Sequence, residues 1–243
     1  MYEMVNNFLT NFLTIKRDLR GIYQMKIQRG SIFRPEKDYY KIAGILLMVS
    51  CIQFFMAVTM AETQYPGYST AKNTLSSLGG TLPPVEPSAT IFNISVFLLG
   101  ILALGAVYLI LKSGGCRLFS ACLLISGVGA VGVGLFPSYS PVAHTLFTFL
   151  TFFFGSLAVI FSYRLGLNIP MVIFSMITGL VPLAIIIGTL IFGFNNALIN
   201  YLGMGGTERF VAYPLLLYLT ALGGYLTSRG KDWVRIRFTD GYF

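Results

Sequence analysis

The chain has 243 residues, of which 55% are hydrophobic and only 11% are charged, and its formal net charge is +8. A soluble domain usually carries charge at about 25% of its positions, so the composition excludes an ordinary water-soluble fold and predicts an integral membrane protein. Because most of the basic residues flank apolar runs, the positive charge indicates membrane orientation, and we expect no nucleic-acid partner.

Residues 1–41 form a basic segment with a helical apolar period. Apolar side chains recur at spacings of four and three, which is typical of one face of a helix; they are Phe8, Phe12, Ile15, Leu19 and Ile22. With its cationic flanks, this pattern predicts an amphipathic helix lying in the headgroup layer and attracted to anionic lipid. The alternative is a partly ordered basic tail that only sets orientation. Lys16 and Arg17 interrupt the apolar character, so we expect no cleavable signal.

Six apolar runs follow that are long enough to cross a hydrocarbon core of about 30 Å as helices. They lie near 42–62, 89–111, 116–136, 142–163, 170–193 and 208–228. We therefore expect an all-α membrane domain over 42–228 and a basic cytoplasmic tail over 229–243. The six helices are predicted to form three hairpins, the first two related by duplication.

The lysine and arginine residues predict the orientation. Of the 17 in the chain, only Lys72 and Arg209 fall outside the segments that share a side with the N-terminus. Because cytoplasmic segments carry the excess of Lys and Arg, both termini are predicted to be cytoplasmic in a multi-pass protein of the cell membrane.

A repeated motif supports the predicted duplication. The first motif, residues 65–75, and the second motif, residues 136–146, share Pro, Tyr, Ser, Thr and Leu when aligned without a gap, and His144 stands where the first copy has Asn73. Parallel repeats are related by an axis along the membrane normal, so both motifs should lie close together at the outer surface, with Asn73 and His144 within about 15 Å. We also expect a short helix from Ser69 to Gly80, with Leu75 and Leu78 resting on the bundle.

Ionisable side chains gather at the predicted outer ends of the helices. Glu62 closes the first helix, His144 opens the fourth, and Glu208 with Arg209 opens the sixth. The helix interiors carry no Asp, Glu, Lys, Arg or His, which argues against proton-coupled pumps and voltage sensors. A single histidine and three scattered cysteines (Cys51, Cys116 and Cys122) build no usual metal site, so we expect neither a metal nor a cofactor.

Three functions fit this pattern. The first is recognition of a lipid headgroup or small anionic molecule in an outer polar cleft, without catalysis; the predicted ligand-binding residues are Tyr68, Ser69, Lys72, Asn73, Ser76, Tyr139, His144 and Arg209. Membrane lipids are then the expected partners. A guanidinium can grip phosphate or carboxylate with two bonds, although Glu208 and Arg209 could equally form a helix-start charge pair.

The second function is an enzyme acting on a lipid or lipid-linked substrate. His144 would be the acid or base, with Glu208 or Glu62 as its partner, whereas the alternative is a structural histidine. No G-x-S-x-G elbow supports a hydrolase. The third function is a structural subunit whose basic termini recruit a cytoplasmic protein.

These motifs resemble a known family. The run Tyr65-Pro-Gly-Tyr-Ser followed by Asn73-Thr74-Leu75-Ser76-x-Leu78-Gly79 is similar to the signature of membrane proteins grouped as domain of unknown function 998. Phe136-Pro137 with His144, and Gly206-x-Glu208-Arg209, are also similar to that family's pattern. The resemblance covers roughly residues 42–228 and implies six membrane helices without an assigned activity. The motif residues it carries over are Tyr68, Ser69, Asn73, Ser76, His144, Glu208 and Arg209.

Overall fold

A computed structural model describes the backbone over 35–194 and 197–236, and side chains over 39–194 and 197–228. The chain divides into two units, 1–35 and 36–243, and the architecture below is that of the second unit. The predicted amphipathic helix of the N-terminal segment and the side chains of the basic tail lie outside the described residues.

Every regular element over the described ranges is helical, which confirms the all-α prediction. The long helices are α1 (Pro35–Thr63), α2 (Ser88–Lys112), α3 (Arg117–Leu135), α4 (Pro141–Phe161), α5 (Ile169–Phe192) and α6 (Ala197–Ile236). Two short 3-10 helices, Ser76–Leu78 and Ser162–Leu165, follow α1 and α4.

Six helical segments are long and apolar enough to cross a membrane, which confirms a multi-pass membrane protein. These segments are Tyr39–Thr63, Ser88–Lys112, Arg117–Leu135, Pro141–Leu165, Ile169–Phe192 and Ala197–Ser228. The first five agree with the predicted runs to within a few residues. The sixth segment begins at Ala197, but the backbone at Gly203 is not helical, so two helices meet there and the second begins just after Gly203. Glu208 and Arg209 lie a few residues beyond this start, close to where they were predicted to open the helix.

Close contacts between small residues hold the bundle together. Consecutive helices from α2 to α6 contact one another, and α4 also contacts α6. In α3, a side chain at Gly129 would meet Thr151, and one at Gly132 would meet Phe147. Small residues permit this approach where lipid gives helices no hydrophobic drive to associate, so packing accounts for these two glycines.

The first and last helices also meet. A side chain placed at Gly44 would contact the carbonyl oxygen of Gly223 at 2.5 Å, and the reverse contact has the same length. Ala43 and Leu47 of α1 share one buried cluster with Leu222 and Leu226 of α6. The two helices therefore pack directly on each other well away from the motifs.

The first motif folds as a series of turns. Asn73 Oδ1 accepts the main-chain N–H of Ser69 at 2.9 Å, and the Tyr68 hydroxyl donates to the carbonyl of Thr74 at 3.0 Å. Such local side-chain bonds compete with helical hydrogen bonding. The predicted helix from Ser69 to Gly80 is therefore wrong, and only Ser76–Leu78 forms a 3-10 turn. Leu75 and Leu78 are nevertheless buried, 3% and 0% exposed, as predicted.

Candidate functional site

Arg209 is the centre of a polar network that fastens the first motif to the bundle. Its Nη2 donates to Glu62 Oε1 at 2.6 Å and to the Tyr68 hydroxyl at 2.7 Å. Its Nη1 donates to three main-chain carbonyls, those of Thr70, Asn73 and Gly205, at 2.8, 3.2 and 2.9 Å. The guanidinium therefore joins α1, the first motif and α6.

The partner carboxylate of Arg209 comes from the adjacent helix α1. Glu62 forms the ion pair, with side chains 10% exposed for Arg209 and 22% exposed for Glu62. A partly desolvated charge pair with further hydrogen bonds is costly to break, because removing one partner leaves the other charge without compensation. Glu62, and not the neighbouring Glu208, therefore forms the ion pair with Arg209.

Tyr68 completes the network as a neutral phenol. Its hydroxyl accepts from Arg209 and donates to the Thr74 carbonyl, and the guanidinium carbon lies 5.6 Å from its ring centroid. Burial raises the pKa of Tyr68 to about 12, although the hydrogen bond from Arg209 acts in the opposite direction. The phenol thus keeps its proton throughout the physiological range, and the single O–H donor holds the turn at Thr74.

Glu208 reaches the other side of the same motif. Its Oε2 accepts the main-chain N–H of Leu75, and its Oε1 accepts the Ser76 hydroxyl at 3.1 Å. Ser76 is the predicted binding residue that this contact brings to Glu208. The two adjacent residues of α6 therefore clasp successive parts of the first motif, Arg209 at residues 70–73 and Glu208 at residues 75–76.

His144 makes a hydrogen bond within the second motif. The histidine is 8% exposed, and its Nδ1 lies 2.9 Å from the carbonyl oxygen of Phe136. Because a carbonyl only accepts, Nδ1 carries the proton in this bond. Among the described residues, Nε2 has no hydrogen-bond partner, and neither a serine nor a carboxylate bonds to the ring.

The second motif touches the segment that directly follows the first motif. The Ser138 hydroxyl lies 3.1 Å from the carbonyl oxygen of Gly80 and 3.4 Å from that of Ser76. A side chain at Gly80 would also overlap Ser138. The two loops therefore lie at the same end of the bundle, whereas the predicted approach of Asn73 to His144 stays a prediction.

The remaining predicted binding residues differ in how far their side chains are exposed. Lys72 is exposed, and Tyr139 is 48% exposed. Ser69 is partly buried, and its hydroxyl oxygen lies 3.4 Å from the main-chain nitrogen of Lys72. Tyr68, Asn73 and Arg209 therefore make hydrogen bonds that stabilise the loop, while Lys72 and Tyr139 are exposed.

A cavity of about 90 Å³ lies beneath the first motif, inside the bundle. Such a volume exceeds the space that one water molecule requires. Its walls come from α1 to α4, α6 and the first motif, and they include Ser76 and Glu208 at the motif end. The described residues contain no cluster of three His, Cys, Asp or Glu that could hold a metal ion.

The model of the family described as Protein of unknown function (DUF998) matches residues 48–225. The chain belongs to this family. The match includes every element of the network, from Glu62 to Arg209, and the family description assigns no reaction to them. Comparison with curated proteins and with solved structures gives no match.

Sequence reasoning missed the cavity and one of its wall residues, Thr148. The hydroxyl of Thr148 is buried and has no hydrogen-bond partner among the described residues. In the sequence, Thr148 resembles Thr151, whose hydroxyl simply donates to the Phe147 carbonyl at 2.8 Å. No sequence signal separates the two threonines, because the difference depends on which helix faces them.

Proposed function

We propose that the protein binds a lipid or another small amphipathic molecule at the motif end of its helical bundle, without catalysing a reaction. The observation that carries this proposal is the cavity beneath the first motif, where Ser76 and Glu208 bring polar atoms to an otherwise mostly apolar space. Ligand sites commonly combine an apolar wall with a few convergent polar groups.

The network revises the role of Arg209 within this proposal. Its two terminal nitrogens already donate to a carboxylate, a phenol and three carbonyls, so an external anion would have to displace internal partners. Lys72 is the exposed cation of the first motif. We therefore assign a positioning role to Arg209.

An enzyme is the second candidate, and it has less support. An acid or base must come within about 2.6–3.2 Å of its partner in a productive complex. The two carboxylates predicted to assist His144 are engaged elsewhere, Glu62 with Arg209 and Glu208 with Leu75 and Ser76. The third candidate, recruitment of a cytoplasmic protein, depends on the termini.

The proposal includes the predicted topology: three hairpins, the first two duplicated, with both termini cytoplasmic and both motifs outside. Matching main-chain hydrogen bonds support the duplication. Asn73 N donates to Ser69 O at 2.7 Å, and at the aligned positions His144 N donates to Ser140 O at 2.9 Å. Contact between Ser138 of the second motif and the segment that follows the first motif is also expected of neighbouring repeats.

The test is to fill the cavity and measure retained small molecules by mass spectrometry of gently purified protein. Ala130 lines the cavity and is 3% exposed, so Ala130→Leu is expected to lower the amount of a specific retained molecule at least tenfold. Ala121 is exposed on the same helix, and Ala121→Leu provides a matched control that should retain the wild-type amount. Identical retained molecules in both variants and the wild type would contradict the proposal.

A further inference from the structure

We propose that the ligand of this cavity has an apolar body and ends in a hydrogen-bond donor, a hydroxyl or an ammonium group, which Glu208 and Thr148 receive. The inference rests on the proposed function and adds the chemical class of the ligand. Three features of the cavity support it: its wall, its hydroxyl groups and its carboxylate.

The wall of the cavity selects an apolar body. Most of its side chains are hydrocarbon, and they come from several helices, among them Phe54 of α1, Phe92 of α2, Leu123 of α3, Phe152 of α4 and Leu216 of α6. Burying apolar surface there is favourable by roughly 25 cal/mol per Å². A strongly polar molecule would lose its hydration without enough replacement bonds.

One hydroxyl in this wall is left without a partner. Ser50, Ser76, Ser126, Thr148 and Thr151 all line the cavity. Four of these hydroxyls donate to protein acceptors, at 2.8 Å to Leu47 O, 3.1 Å to Glu208 Oε1, 2.8 Å to Thr151 O and 2.8 Å to Phe147 O. Thr148 Oγ1 is buried and has no partner in the described part of the chain. Buried polar groups are rarely left unpaired, so this hydroxyl indicates where a ligand atom belongs.

Glu208 determines which kind of polar atom that is. A carboxylate offers about four lone-pair positions. The Leu75 N–H and the Ser76 hydroxyl use two of them, and the Ser76 main-chain N–H also faces the carboxylate. In the ionised group, any unused position can only accept. The nearest cation in sequence, Arg209, directs its guanidinium to Glu62 and the loop carbonyls, and it is not among the residues that line the cavity. A ligand that ends in a carboxylate or phosphate would therefore face Glu208 unfavourably.

The experiment uses three photoreactive probes with the same short alkyl chain, ending in an alcohol, a primary amine or a carboxylic acid. The full-length protein in detergent micelles is irradiated with each, and labelled peptides are quantified. We expect the alcohol, the amine or both to label the cavity wall at least tenfold more than the acid. A preference for the amine identifies an ammonium end group, and equal or greater labelling by the alcohol identifies a hydroxyl; both outcomes support the proposal.

Two variants attribute the preference to the named residues. Glu208→Gln keeps an acceptor for Leu75 N–H and removes the carboxylate. Labelling by the acid should then rise to within about threefold of labelling by the preferred probe, a smaller difference than the roughly tenfold effect of one hydrogen bond. Thr148→Val removes the unpartnered hydroxyl at nearly constant volume and should lower alcohol labelling about tenfold. Thr145 is exposed on the same helix, and Thr145→Val should leave labelling unchanged.

The failures of the two proposals are distinguishable. If Ala130→Leu abolishes labelling but all three end groups label the wild type equally, the cavity binds ligands and the end-group inference is overturned. If Ala130→Leu leaves labelling by every probe unchanged, the proposed function itself fails. If Glu208→Gln does not fold, Thr148→Val still tests the inference. Unchanged labelling of Thr148→Val by the alcohol would contradict the assignment of Thr148.

Discussion

Arg209 illustrates how a residue that suggests a ligand contact from its sequence position can instead organise the protein. Its guanidinium donates hydrogen bonds to acceptors in α1, in the first motif and in its own helix, and the side chain is 10% exposed. A planar group with five N–H donors suits this task better than an ammonium, which presents three donors around a point charge. The residue therefore fixes the shape of the site that surrounds Glu208.

Tyr68 provides the sharpest test at this scale. Tyr68→Phe removes one bond from Arg209 and one to the Thr74 carbonyl, and should lower the free energy of unfolding by about 2 kcal/mol. Tyr65 lies 5.4 Å away in ring contact, and its hydroxyl has no hydrogen bond among the described residues, so Tyr65→Phe should cost less than about 0.5 kcal/mol. Denaturant unfolding in detergent micelles measures both, and equal losses would contradict the network.

The raised pKa of Tyr68 adds a pH dependence with a definite sign. A group with a raised folded-state pKa contributes stability that is complete below its unfolded pKa. For Tyr68 the pKa rises from 10.0 to about 12, so this contribution should disappear as the pH increases through that interval. Tyr68→Phe should therefore show a shallower loss of stability between these pH values than the wild type.

At the scale of the element, the kink in α6 creates the seat for the first motif. Gly203 has φ of 75°, a conformation that side chains other than glycine rarely adopt. Just beyond it, Gly205 N donates to Ala71 O at 2.9 Å, and a side chain at Gly205 would overlap the carbonyl oxygens of Thr70 and Asn73. The backbone of the motif thus lies directly on the backbone of the helix.

Gly205→Ala tests this seat. The added methyl group would push away the same carbonyls that Arg209 binds, so we expect a loss of about 2–4 kcal/mol in unfolding free energy, in the range of an overpacked buried site with broken hydrogen bonds. Gly188 in α5 has open space around it, and Gly188→Ala should be neutral or stabilising by up to about 1 kcal/mol. A Gly205→Ala protein as stable as Gly188→Ala would show that the motif is not seated on the helix.

At the scale of the whole molecule, orientation in the membrane decides which compartment the motif end faces. The positive-inside rule assigns that end to the outside, because Lys72 and Arg209 are the basic residues there. Because Arg209 forms an ion pair with Glu62, Lys72 is the exposed cation on the first motif.

Cysteine labelling tests the proposed orientation. Lys72→Cys should react with a membrane-impermeant maleimide in intact cells, whereas Ser113→Cys, in the turn after α2, should react only after permeabilisation. The wild type is the background control, since Cys51 and Cys122 are buried and Cys116 lies next to the same turn. The opposite labelling pattern would mean that the motif end faces the cytoplasm.

The sequence allowed the membrane spans to be predicted because each depends on a local property, an apolar run of about 20 residues. Leu75 and Leu78 are buried as predicted, although the helix from which that prediction was drawn does not form. Contacts between distant segments were not predictable: Glu62 and Arg209 are 147 positions apart, and no periodicity links them. The helix break at Gly203 was missed for a related reason, since it accompanies a contact with Ala71 that only the folded chain supplies.

The long separation of Glu62 from Arg209 has a consequence for biosynthesis. At about 5–20 residues per second, the ribosome reaches Arg209 roughly 7–30 s after Glu62, which lies 147 positions earlier. During that interval the first motif has been synthesised but lacks the guanidinium and the glycine backbone that hold it. A nascent chain that ends before α6 would therefore present an unpaired carboxylate and unsatisfied main-chain carbonyls, which the completed protein buries in hydrogen bonds to Arg209.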